Sequence, residues 1–203
     1  MTETSNLASS KQTFPDPPDG LLAELADTYK DIHAHPELSM QEHRTAGLAA
    51  AWLRRHGYEV TEGVGGTGVV GLLRNGDGAT VLLRADMDAL PVQESTGLSY
   101  ASEKTGTDRF NQATAIAHAC GHDMHIVWLM GATQILTDNR DKWRGTVLAV
   151  FQPGEEIGQG ARAYDRGRHG QALPKAGRDP RPACDATQRG ADRLAHRHHA
   201  LGR

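Results

Sequence analysis

An α/β layer domain is what this sequence predicts, and three patterns carry the expectation. Apolar residues recur at helical spacing across Leu21–Ile32 and again across Leu48–Leu53. The period then shortens, with β-rich runs at Val69–Leu73 and Thr80–Ala85. Helical spacing returns from His122 to Thr137 through Ile126, Leu129, Met130 and Leu136, and Thr146–Gln152 follows as a nearly unbroken apolar run. Such a run is what a strand buried on both faces looks like. Helices alternating with apolar strands bury their apolar sides by stacking as layers.

Taken in order, residues 1–19 are polar and close on Pro15, Pro17 and Pro18, so they read as a disordered leader. Leu21, Leu22, Leu25, Tyr29 and Ile32 form one face of a first helix, which Pro36 stops. Ser39 with Glu42 three residues later resembles a capping box for a second helix. That helix presents Leu48, Ala49, Trp52 and Leu53 on one side, and Gly57 stands where a C-terminal cap belongs. Asn75-Gly76-Asp77-Gly78, between two β-rich runs, is a hairpin signal. Gly145 opens the last strand.

Length and charge narrow the function. The 203 residues suffice for one substantial domain, or one domain with a fragment of another. A formal charge of −3, with acids and bases interspersed, points to neither a nucleic-acid nor an anionic-membrane partner. Cys120 and Cys184 are too few for a disulfide framework, which favours a reducing compartment. The N-terminus has no basic start followed by an apolar run, and Leu48–Leu53, the longest apolar stretch, is far too short to span a bilayer. A soluble, cytoplasmic protein is expected.

From Tyr164 to Arg203 the character changes: Val, Ile, Phe, Met and Trp are absent, and Leu173, Leu194 and Leu201 are the only large aliphatics. Arg, Ala, Gly, Pro and His fill this tail, which reads as disordered or as the product of a shifted reading frame in a GC-rich gene. The nucleotide sequence around codons 160–170 decides between the two. A family-like continuation in another frame establishes the shift, and its absence from both alternative frames makes the tail native.

Chemistry-bearing residues cluster at strand ends. Asp86 and Asp88 follow the run ending at Ala85, and Glu155 and Glu156 follow the one ending near Gln152. Ligands of open α/β sheets bind beyond the carboxyl ends of strands. Alternation along an extended segment puts Asp86 and Asp88 on one face, with turn chemistry before Pro91 as the lesser alternative. Isolated acidic pairs are often solvated helix starts, but Glu155 and Glu156 end an apolar strand after Pro153-Gly154 and would project from a buried sheet edge. There one carboxylate can hold a metal while the other moves a proton. Cys120, His122, Asp123 and His125 form a dense set of ligand types. The thiol and imidazole of Cys120-Gly121-His122 can converge on one ion, or they can be a buried small cysteine beside a surface histidine. His33 and His35 receive no catalytic role from spacing alone, since histidines at a helix end are commonly dipole partners.

Together "HAHPELSMQEHRTA", "RADMDALPVQE", "HACGHDMHIVWLMGAT" and "VLAVFQPGEEIGQGARA" resemble the aminoacylase/carboxypeptidase family of metallopeptidases. Within it they are most similar to the amidohydrolase branch, which includes hippurate hydrolases and N-acyl-amino acid amidohydrolases. The resemblance runs from about Leu21 to Ala163. It implies the N-terminal part of a zinc-peptidase-like catalytic domain, with a mostly parallel sheet flanked by helices, cut off before the dimerisation domain of the family. It further implies Cys120, His122 and Glu156 as metal ligands, Glu155 as general base, and Asp88 as the acid supporting the metal centre. Asp86 falls where related peptidases carry a histidine ligand. The implied cofactor is a divalent metal, two ions in complete relatives, with zinc, manganese and cobalt all suited to mixed S/N/O donors. The implied reaction is hydrolysis of N-acyl amino acids by a metal-bound hydroxide, in a homodimer when the chain is complete. Two other readings stay open: an inactive remnant that binds metal weakly, and a hydrolase using Cys120 as nucleophile with His122.

Overall fold

The structure, a computed structural model, describes residues 16–160. The leader up to residue 15, the tail from Tyr164 onward and Cys184 lie outside the described residues.

Helix α1 spans Leu21–Ala34 and ends two residues before Pro36, as expected. Leu21 and Ile32 are buried and Leu25 and Tyr29 pack against the core, whereas Leu22 is 67% exposed. Assigning Leu22 to the apolar face was wrong because adjacent helical residues diverge by about 100°. Helix α2 spans His43–Arg55 and buries Ala49, Trp52 and Leu53. Gly57, at φ +75°, lies just past its end, in the conformation a C-terminal cap requires. The capping box does not form: Glu42 is the N-cap residue and its side chain makes no capping bond, while the Glu37 carboxylate accepts the free amides of Arg44 and Thr45 at 2.9 and 2.8 Å. Ser39 turns instead to Asp88, and Glu42 turns inward to complete burial.

Strand β1 (Glu59–Val64) escaped the sequence reading because Glu59, Thr61, Glu62 and Gly63 break up its apolar alternation. β2 (Gly68–Asn75) and β3 (Thr80–Asp86) match the two β-rich runs. β4 (Thr105–Thr107) and β5 (Ala113–Ala115) make a small hairpin of their own, followed by helix α3 (His122–Asp138) and strand β6 (Gly145–Gln152). The main sheet has the order β1-β2-β6-β3.

Two expectations are corrected here. The sheet is α/β and flanked by helices, but it is mixed, not mostly parallel: among the described strands only β3 and β6 pair parallel. A tight turn joins β1 to β2 and forces them antiparallel, while the long connection through α3 allows β3 and β6 to run the same way. Nor do β2 and β3 form a hairpin across Asn75–Gly78. β6 lies between them, pairing Asn75 with Gly145 on one side and Thr80 with Thr146 on the other. The Asn75 amide is spent on the carbonyls of Arg140 and Trp143, both at 2.7 Å. Gly145, at φ +120°, slips under the β2–β3 link so closely that a Cβ there would sit 2.3 Å from the Ala79 carbonyl oxygen.

The three helices share one face of the sheet. Trp52, Leu53, Ile126 and Met130 meet Val69, Leu73, Val147, Ala149 and Phe151 there. The Trp52 indole N–H donates to the Met130 carbonyl at 2.9 Å, tying α2 to α3. A second cluster of Val64, Val70, Leu72, Leu148 and Val150 occupies the other face, so β6 is buried on both sides as its composition predicted. None of the described helices is long and apolar enough to cross a membrane.

Candidate metal centre

Because β3 and β6 run parallel in register, Asp86 pairs with Gln152, and both strands deliver their carboxyl ends to one edge. The candidate residues converge there. Asp88, two residues past β3, is 1% exposed. Its Oδ2 accepts the Ser39 hydroxyl at 2.6 Å and the Glu156 amide N–H at 2.9 Å. His122, the first residue of α3, donates from Nδ1 to the Asp88 carbonyl oxygen at 2.8 Å, with the Asp88 carboxylate 3.4 Å away. That contact sets the tautomer and turns Nε2 toward Glu155 Oε2 at 3.9 Å and Glu156 Oε1 at 4.0 Å. Gly121, the N-cap at φ +76°, supplies the left-handed turn that brings His122 into this position.

The loop carrying Glu155 and Glu156 is held from below by a residue the sequence reading assigned elsewhere. Buried Glu42 accepts the amide N–H of Gly154 at 2.8 Å and of Met40 at 2.9 Å through Oε1, and the Thr67 hydroxyl through Oε2. Gly154 adopts φ +58°, and a Cβ there would lie 2.7 Å from the Met40 sulfur, so the turn needs glycine. The only local signal was a carboxylate close to a helix start, which capping explains as readily.

The electrostatics follow from burial and proximity. Burial alone raises the Asp88 pKa, but hydrogen bonds from His122, Ser39 and the Glu156 and Glu155 amides outweigh it and lower the value. Burial disfavours a charged His122, yet the Asp88 side chain and carbonyl, with Asp86 beyond, push its pKa up to about 9. Burial and the neighbouring Asp86 and Glu156 carboxylates raise Glu155. The Cys120 thiol lies against the Glu156 carboxylate, which with burial pushes it up to about 11.

Two groups of donor atoms lie within 4.8 Å of one another: His122 with Glu155 and Glu156, and Asp86 with His122 and His125. Two donors sharing an ion at about 2.0–2.3 Å are at most roughly 4.6 Å apart, so these side chains stand at nearly ligating separation. Asp88 Oδ1 and Glu156 Oε1 are buried without a hydrogen-bond partner among the described residues, as donors awaiting a cation would be. The residues fit a divalent ion. Cys120 is exposed, beside Glu156 but outside both groups.

Two histidines gain surroundings that spacing did not reveal. His33 is buried, with Nδ1 2.7 Å from Asp123 Oδ2 and Nε2 3.0 Å from Glu94 Oε1. Burial opposes its charge, but the two carboxylates outweigh burial and raise its pKa. His118 is buried with neither ring nitrogen partnered among the described residues, and burial pushes its pKa down to about 4. Its place two residues before Cys120 and four before His122 was the available signal.

An α/β domain with imidazole and carboxylate donors gathered at the carboxyl ends of parallel strands is the architecture of a metallohydrolase catalytic domain. The chain belongs to peptidase family M20/M25/M40, whose profile matches residues 82–187. It is 47% identical over 131 residues to thermostable carboxypeptidase 1 of Saccharolobus solfataricus, covering 64% of this chain and 31% of that protein. It is 40% identical over 140 residues to an N-acetylcysteine deacetylase of Bacillus subtilis, covering 68% and 34%. A solved Bacillus subtilis structure, described as a dinuclear metal binding peptidase of the M20 family, superposes with a TM-score of 0.65 at 36% identity, covering 73% of this chain and 39% of that one. The chain thus spans about a third of the length of the curated relatives it matches.

Proposed function

We propose that this chain carries part of the catalytic centre of a metal-dependent amidohydrolase acting on N-acyl amino acids, hippurate-like compounds among them. The observation that carries the reading is the convergence of His122, Glu155 and Glu156 within 4.8 Å, above a buried Asp88 that orients His122. In this reading Cys120, His122 and Glu156 hold divalent metal (zinc, manganese or cobalt), with two ions in the complete enzyme. When bound, such an ion lowers the pKa of a coordinated water and polarises an amide carbonyl. Glu155 takes the proton from the attacking water and returns it to the leaving amine. Its raised pKa suits a group that must do both. Asp88 fixes the His122 ring from behind through its backbone carbonyl, a common partner of the second nitrogen in ligating histidines. A reducing, cytoplasmic setting keeps the Cys120 thiol available, and complete chains pair as homodimers.

Metal-free protein reloaded with zinc, manganese or cobalt should hydrolyse N-acetyl or N-benzoyl amino acids. Glu155→Gln should keep the metal and lose on the order of a hundredfold in rate or more. Near-normal turnover by that variant removes Glu155 from the mechanism. Because the chain spans only a third of its relatives, a second reading stands beside the first, that of an inactive portion that binds metal. Metal uptake without turnover by the unsubstituted chain selects it.

A further inference from the structure

Beside the donor cluster lies a recess of about 230 Å³ that the proposed chemistry has not yet used. Glu156 forms part of its wall, so the recess opens directly from the candidate centre. Leu38, Leu90, Pro91, Phe110 and Ile157 make the rest of that wall largely apolar. Pockets that enclose a whole small ligand run to roughly 300–1,000 Å³, so this one fits a single substituent.

The outer rim is built by the tip of the β4–β5 hairpin. Asp108 Oδ1 accepts the amides of Phe110 and Gln112 at 2.8 and 2.9 Å, and Asn111 takes φ +62° to close the turn. The Gln41 side chain donates to the Thr107 carbonyl at 3.2 Å, fastening the hairpin to the loop before α2. This scaffold holds out two side chains with no evident structural role. Phe110 is 66% exposed, an apolar ring left to water at the mouth of an apolar recess. The Arg109 guanidinium stands 4.8 Å over that ring and makes no ion pair among the described residues. A planar, five-donor cation stacked on an aromatic face is well prepared to grip a carboxylate in bidentate fashion. The neighbouring Asp108 does not hold the Arg109 guanidinium in an ion pair, and its Oδ1 is taken by the Phe110 and Gln112 amides.

We propose that this recess is the subsite for the amino-acid half of the substrate, seating an apolar side chain against Phe110, Leu90 and Ile157 while Arg109 binds the free carboxylate. The assignment rests on the N-acyl amino acid reading. Of the two halves of such a substrate, only the amino-acid half always carries a carboxylate, and the recess joins an apolar wall to a cation.

The test uses zinc-loaded protein and three probes whose sulfonamide resists hydrolysis: N-methanesulfonyl-L-leucine, its carboxamide, and N-methanesulfonylglycine. Calorimetric titration should show the leucine acid binding about fivefold or more tightly than either of the others, a difference of about 1 kcal/mol. Arg109→Gln should abolish the preference for acid over carboxamide and keep that for leucine over glycine; Phe110→Ala should do the reverse. Equal binding of the three probes, no binding of any, or variants that keep both preferences overturns the subsite. Zinc content, measured in the same samples, reads the metal centre separately. Zinc bound without discrimination overturns the subsite alone, and discrimination without zinc overturns the metal-centre reading alone.

Discussion

His122 shows how one imidazole can be prepared for a ligand by its neighbours. Its Nδ1 is committed to the Asp88 carbonyl, so only Nε2 remains to face the Glu155 and Glu156 carboxylates. The same surroundings hold a proton on the ring, with a pKa of about 9, and the Cys120 thiol keeps its own to about 11. A metal held by the proposed ligands Cys120 and His122 must displace those protons, since the thiolate and the neutral imidazole are the ligating forms. Metal affinity should therefore rise as pH increases toward 9, with protons released on binding. A titration at several pH values, with proton release read from buffers of different ionisation enthalpy, checks this. An affinity that falls between pH 6 and pH 9 contradicts it. Cys120→Ala and His122→Ala should each remove most bound metal, and unchanged stoichiometry in both would show that the ligands lie elsewhere.

Between elements, Glu42 is the joint that matters most. It is fully buried at the start of α2, yet its hydrogen bonds reach Met40, Thr67 and the Gly154 turn behind the Glu155–Glu156 pair. Burial raises its pKa although the hydrogen bonds oppose the rise. For a carboxyl whose folded pKa lies above its unfolded value near 4.3, the linked stability is present in full below that value and is lost as pH rises through the folded pKa. The amide of Glu42→Gln can accept the same two N–H groups and donate to Thr67 without titrating. Its melting temperature should thus lose less than the wild type's as pH rises above about 4. Glu42→Ala strands the Gly154 and Met40 amides in a buried site, at roughly 1–3 kcal/mol for each. Calorimetric scans of the three proteins between pH 4 and 7 test the comparison, and a parallel decline in wild type and Glu42→Gln would dismiss a titrating Glu42.

Across the whole molecule, the sheet leaves β3 as an edge among the described residues. Val81 is 49% exposed on that edge, next to an apolar recess of about 450 Å³ lined by Leu83, Ile135, Leu136 and Trp143. An apolar edge strand with free backbone groups is a template for pairing with another chain. Val81→Lys should reduce self-association at high concentration while shifting stability by no more than about 0.5 kcal/mol, the usual scale for a surface change. Sedimentation and thermal melting measure both, and undiminished association would move the sticky surface elsewhere.

Periodicity and composition by themselves determined the helices, the β-rich runs at β2 and β3, and the double burial of β6. Each of these is decided by which side of a short segment is apolar, and that is written locally. The candidate donors at 86–88, 120–125 and 155–156 stood out for a similar reason, being chemically distinctive and placed at element ends. Only the tertiary structure decided the rest. Asn75-Gly76-Asp77-Gly78 carries a sound hairpin signal, yet β6, arriving from about seventy residues later, takes the slot between β2 and β3. A strand apolar on both faces gains more from the centre of a sheet than from its edge. Likewise Glu42 beneath the glutamate loop, and His33 between Asp123 and Glu94, owe their partners to chain segments remote in sequence. A buried polar group must find partners wherever the fold supplies them, and no local pattern records where that will be.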